Sequence, residues 1–124
     1  MGLLDLLNIS TKTAVEDIAK ELEAVLSPNE TIAHAYKMVR DYFVFTNWRL
    51  LMVNKQGVTG KKVEYHSVPY RSVTHFSVET AGHFDLEGEL KIWVSGRELP
   101  FERSFSAGTN ILEVQRALAT HIGS

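Results

Sequence analysis

A seven-stranded antiparallel meander, partly open as a barrel and capped by a C-terminal helix, with another helix at the N-terminus, is the mainly β fold class this sequence predicts. Three observations point to it. Between Thr31 and Arg103 seven short runs rich in β-branched and aromatic residues alternate with turn residues. The breaks between them leave room for hairpins but not for the helical crossovers that parallel strands need. On either side of this stretch apolar residues recur at helical spacing.

Val15, Ile18, Leu22 and Val25/Leu26 recur at steps of three and four, which predicts a helix over Thr13 to Leu26 with one apolar face. Ser27-Pro28-Asn29 stops it, because proline cannot continue the hydrogen-bonded ladder. The seven strands are expected at 31–38, 42–46, 49–55, 61–67, 73–80, 88–95 and 98–104. Their breaks are Arg40-Asp41, Asn47-Trp48, Gln56-Gly57 with Gly60, Pro69-Tyr70, Ala81-Gly82 and Ser95-Gly96. After Gly108 the helical pattern returns: Asn110 serves as N-cap with Glu113 three residues on, and Ile111, Val114, Leu118 and Ile122 form the buried stripe. A lone amphipathic helix after a meander has to bury that stripe against the sheet or across the barrel's open end. The expected division is a helical segment, 1–28, and a domain, 29–124, forming one folded domain overall.

Two runs break the alternation. Tyr42-Phe43-Val44-Phe45 and Leu50-Leu51-Met52-Val53 are apolar on both faces, so both faces need cover. One face fills the barrel; the other is left to the N-terminal helix or to a second subunit. Tyr42, Val44, Trp48, Leu51 and Val53 are therefore the expected residues of an oligomer interface.

At 124 residues, with 44% hydrophobic and 23% charged, the chain can bury one core without covalent staples. With no cysteine it has no disulfide, thiolate nucleophile or cysteine zinc site. The net charge of −2, from 13 basic and 15 acidic residues spread along the chain, gives no electrostatic reason to expect nucleic acid. The leucines at 3, 4, 6 and 7 are interrupted by Asp5 and lack the positive start of a secretory signal, no run reaches the length of a membrane span, and Leu6 stands where a myristoylation motif wants Ser or Thr. A cytoplasmic location, peripheral to the inner face of the membrane in one reading, is the expectation.

Particular strings carry a resemblance beyond the fold class. They are Arg40-Asp41-Tyr42-Phe43-Val44-Phe45-Thr46-Asn47-Trp48-Arg49-Leu50, Lys55-Gln56-Gly57 with Gly60-Lys61-Lys62, and Ser67-Val68-Pro69-Tyr70-Arg71-Ser72-Val73. Ala81-Gly82 and Leu90-Lys91-Ile92-Trp93-Val94-Ser95-Gly96 follow in order. Over Thr31 to His121 the chain resembles the bacterial pleckstrin-homology-like family, which implies the meander with its capping helix and ring-like assembly. Trp48 stands where members of that family commonly carry a basic residue. Phosphoinositide-binding members of the wider superfamily carry a basic cluster on the first two strands and their loop, where this chain has Lys37 and Arg40.

Residues able to carry chemistry are few. Lys37, Arg40, Arg49, Lys55, Lys61, Lys62 and Arg71 are the candidate anion or phosphate ligands around the middle hairpins. Gly57-Val58-Thr59-Gly60-Lys61-Lys62 lacks the glycine spacing, the Ser/Thr after lysine and the following helix of a phosphate loop, and reads as a turn. In the run that follows, Lys62, Glu64 and His66 are expected to face outward and Val63 and Tyr65 inward. Glu87 and Glu89 fit a solvated strand edge. The five histidines show no metal-ligand spacing; only convergence of His66 and His75 with Glu64 or Glu79 across strands would make a zinc site. No catalytic residue, metal or cofactor is expected. The reading that follows is a non-enzymatic binding or scaffold module forming a homo-oligomer. The alternatives are a peripheral module on anionic phospholipid and a metal-dependent enzyme using the strand histidines.

Overall fold

The computed structural model describes residues 16–37, 41–57, 61–80, 88–105 and 111–123. The chain divides into two compact units, up to Ser67 and from Val68. In the first, α1 is helical over residues 16–21 and continues in turns to 25. It precedes β1 (Ile32–Lys37), β2 (Tyr42–Thr46), β3 (Arg49–Gln56) and β4 (Lys62–Pro69), which form one sheet in the order β1-β2-β3-β4. Both β1/β2 and β2/β3 are antiparallel, with Tyr42 opposite Val53 and Val44 opposite Leu51.

That register puts Tyr42, Val44, Leu51 and Val53 in one row on one face of the sheet, because side chains alternate along a strand. Ile18 and Leu22 of α1 lie on this row together with Ala35, and Val25, Leu26, Ile32 and Val63 close its margins. Ile18 and Leu22 are fully buried, and burying each such side chain stabilises by about 1.5–3 kcal/mol. Phe43, Phe45, Leu50 and Met52 alternate onto the other face and are also fully buried. The double apolar pattern thus reflects cover on both faces, and within this chain α1 covers the first.

In the second unit a 3-10 turn, Tyr70–Ser72, leads into β5 (Val73–Thr80), β6 (Gly88–Val94) and β7 (Phe101–Phe105), an antiparallel sheet in the order β5-β6-β7. Leu90, Ile92 and Phe105 are buried in it. Helix α2 (Ile111–Ile122) packs on β5, β6 and the 3-10 turn through Ile111, Val114, Ala117 and Leu118. His121 in its last turn stacks on Tyr70 at 5.0 Å between ring centroids. Gly88 faces Ile111 so closely that a Cβ there would stand 2.6 Å from the Ile111 Cβ.

The strands agree with expectation to within one to three residues at their ends. The differences are local: Pro69 completes β4 instead of breaking before the next strand, and the 3-10 turn takes over the bend. Helix α1 gives way to turns after residue 21 instead of running to Leu26, and the Val25 amide bonds the Leu22 carbonyl three residues back, tightening the chain before Pro28. The Asn110 cap and the Ala81-Gly82 turn lie outside the described residues.

Two substitutions check this packing. Leu118→Ala is expected to lower unfolding free energy by about 2–5 kcal/mol in chemical denaturation. Gly88→Ala should cost about 1–3 kcal/mol through overpacking, and less in an Ile111→Gly background, which removes the Ile111 Cβ, Cγ1 and Cγ2 that the new Cβ would meet.

Candidate functional site

Charge in the first unit gathers around one buried carboxylate. Glu30 follows the Pro28-Asn29 turn, and its side chain is fully buried where the loop from α1 passes the β2–β3 hairpin. Arg49 grips it in two places, Nε to Oε2 at 2.8 Å and Nη2 to Oε1 at 2.8 Å. Thr46 Oγ1 donates to Oε2 at 2.6 Å, and the Ser27 amide donates to Oε1 at 3.0 Å. Arg49 then reaches further: Nη2 donates to the Val25 carbonyl at 3.0 Å and Nη1 to Ser67 Oγ at 2.7 Å. One guanidinium therefore joins the end of α1, the following loop, β3 and β4.

Burial alone pushes the Glu30 carboxyl up, but the hydrogen bonds from Arg49, Thr46 and Ser27, with the Arg49 charge, outweigh it and bring its pKa from 4.5 down to about 2. At the other end of the row Lys55 Nζ donates to Glu21 Oε1 at 2.8 Å and to the Tyr42 hydroxyl at 3.1 Å, and sits 4.7 Å from the Tyr42 ring centroid. Its pKa is raised, first by the Glu21 bond and then by Tyr42, against an opposing contribution from burial.

The seven expected anion ligands are thereby separated. Arg49 and Lys55 are engaged by carboxylates of the chain's own fold. Lys37, Lys61 and Lys62 are exposed, at the end of the sheet where β1 finishes and β4 begins. Arg71 is exposed on the 3-10 turn of the other unit, and Arg40 lies outside the described residues.

The five expected interface residues separate too. Tyr42, Val44, Leu51 and Val53 are at most 7% exposed within the single chain, so the row offered to a second subunit is already covered by Ile18 and Leu22. Trp48 is the exception at 51% exposed. It sits on a braced turn: Thr46 Oγ1 accepts from the amides of Trp48 and Arg49, and Asn47 accepts from the Thr31 amide and donates to the Asn29 carbonyl. Val63 packs on the helix-covered row, whereas Tyr65, expected inward, is 41% exposed and His66, expected outward, is half-buried.

Glu30 is the residue that sequence reasoning missed, since a glutamate after Pro-Asn looks like solvated loop. The available signal was Arg49, which shares its strand face with Leu51 and Val53: a charge at the end of a buried row needs a partner. Among the described residues no three His, Asp or Glu side chains converge as a metal cluster, and His66 and His75 lie in different units. Among the same residues no helix is long and apolar enough to cross a membrane.

A mainly β chain of four- and three-stranded antiparallel sheets with a C-terminal helix has the pleckstrin-homology-like fold. The family model of the bacterial PH domain matches residues 1–122, and the chain belongs to that family. It is similar to the Bacillus subtilis (strain 168) protein YjqA, with 47% identity over 96% of this chain and 97% of that one. Among solved structures it is similar to a pleckstrin homology domain from Shewanella amazonensis SB2B, with a TM-score of 0.81, 45% identity and 98% of each chain covered. A pleckstrin-homology-domain protein from Shewanella loihica PV-4 is similar at a TM-score of 0.76 and 49% identity, over 87% of this chain and 92% of that one.

The carboxylate cluster makes two predictions. Arg49→Met leaves Glu30 buried without its counter-charge and should cost about 3–5 kcal/mol in urea unfolding, with Glu30→Leu/Arg49→Met costing less than the single change. Because the Glu30 pKa is depressed on folding, its contribution is complete above the unfolded value of 4.5 and disappears as pH falls toward 2. On the order of 3 kcal/mol should be lost across that window, and Glu30→Gln should flatten the loss.

Proposed function

We propose that this chain is a non-enzymatic binding and scaffold module that associates with copies of itself through the β2–β3 hairpin, with Trp48 as the anchoring side chain. One observation carries the reading: a half-exposed tryptophan on a turn fixed by hydrogen bonds within the hairpin and to the neighbouring Asn29–Thr31 segment. A large aromatic on a rigid support loses little conformational freedom on docking, and tryptophan is enriched among residues that dominate binding energy. The exposed residues joined to this turn, Asn29, Thr31 and Asn47, carry no charge, so two copies can meet there without like-charge repulsion. Membership of the bacterial PH family supports a binding module. Among the described residues, Glu30 and Lys55 support it as well, since both are held in their charged forms by structural partners instead of being poised for proton transfer.

Molar mass by light scattering across a dilution series tests this. The unmodified chain is expected above monomer mass, and Trp48→Glu is expected to shift it toward monomer with its unfolding midpoint retained. A monomer at every concentration, or an assembly indifferent to Trp48→Glu, would count against the reading.

A second reading has its own observation: Lys37, Lys61 and Lys62 are exposed at one end of the four-stranded sheet and could meet anionic phospholipid head groups there. Vesicles containing phosphatidylserine should then retain the protein at low salt and release it as salt screens the contact. Retention that survives Lys37→Glu/Lys61→Glu/Lys62→Glu would remove these lysines from the account.

A further inference from the structure

Among the described residues two polar attachments join α1 to the sheet, and they are unequal. Toward β2's hairpin, the Val25 carbonyl is tied to Arg49, which is locked on buried Glu30, while Glu30 and Ser27 hold each other through the Glu30 amide and the Ser27 amide. At the other end the polar attachment among the described residues is one ion pair, Glu21–Lys55, whose side chains keep 35% and 24% of their surface in water, beside the buried Ile18 and Leu22. Ile18 and Leu22, on either side of Glu21 in the chain, pack on the apolar row.

We propose that α1 is a hinged strap, fixed at residues 25–30 and latched at Glu21–Lys55, whose release lifts residues 16–22 and uncovers the Tyr42/Val53 end of the row. The order follows from register. Tyr42 and Val53 face each other two residues from Lys55, whereas Val44 and Leu51 lie two residues from Arg49. Opening at the latch uncovers the first pair, while Val25 and Leu26 of the fixed end stay packed against the row. A partly hydrated ion pair is weakened by salt, and a buried, bidentate one much less, so ionic strength acts on the latch and leaves the hinge in place. The strap thus makes an apolar surface, hidden in the closed chain, available conditionally. It stands independently of self-association through Trp48.

Hydrogen exchange followed amide by amide on the full chain tests this, with far-ultraviolet circular dichroism confirming that variants fold. The Leu22 amide, bonded to the Ile18 carbonyl, reports the strap, and the Glu30 and Thr31 amides, bonded to the Ser27 carbonyl and to Asn47 Oδ1, report the hinge. Glu21→Gln should raise Leu22 exchange about two- to fivefold, the range of an exposed ion pair, and leave Glu30 and Thr31 unchanged. Lys55→Met should raise it further because the Tyr42 contacts go too. Raising salt should speed Leu22 exchange in the unmodified chain but not in Glu21→Gln. A joint rise of all three amides would show that helix and clamp leave together, and an unchanged Leu22 that the ion pair latches nothing. Leu22 exchanging in the unmodified chain at the rate of unstructured peptide would mean there is no closed strap. Each of these three results would overturn the proposal.

Discussion

The first unit depends on the Arg49–Glu30 pair more than on any other polar contact. Removing a carboxylate and a guanidinium from water is unfavourable unless both are fully hydrogen-bonded, and here the carboxylate has four donors while the guanidinium also reaches Val25 and Ser67. These bonds fix where α1 ends relative to β3, and so decide that Ile18 and Leu22 fall on the Tyr42–Val53 row. They also set the hairpin: Thr46, the third member of the cluster, accepts the Trp48 and Arg49 amides. Cover of the apolar row and presentation of Trp48 are thus two consequences of one arrangement.

The fold was readable because its signals are local and repeated. Each strand run carries its own apolar or alternating pattern and its own turn residues, and the strings in the middle hairpins already resembled the bacterial PH family that the chain belongs to. Apolar side chains on both faces of β2 and β3 correctly demanded two covers. Periodicity could not say which cover the chain itself supplies, because that depends on where a helix docks, and docking is decided by long-range contacts such as Arg49 to Val25.

The site was less readable for the same reason. Seven cations looked alike in sequence, yet two of them are held by carboxylates brought close only by folding, Glu30 for Arg49 and Glu21 for Lys55. A glutamate 19 residues before its arginine gives no periodic signal. Trp48 was visible because an exposed tryptophan at a hairpin tip is unusual whatever surrounds it. Its neighbours in the expected interface were not distinguishable from core, since a buried row reads the same whether it is covered by the same chain or by another.

The central claim is that the chain's own α1 covers the row formed by Tyr42, Val44, Leu51 and Val53. Nuclear Overhauser contacts between methyl groups in a mixture of isotope-labelled and unlabelled chains test it directly. The account predicts contacts from Ile18 and Leu22 to Val44 and Leu51 within labelled chains and none in the spectrum filtered for pairs between chains. The same contacts appearing only between chains would show that another copy supplies the cover, and would contradict it.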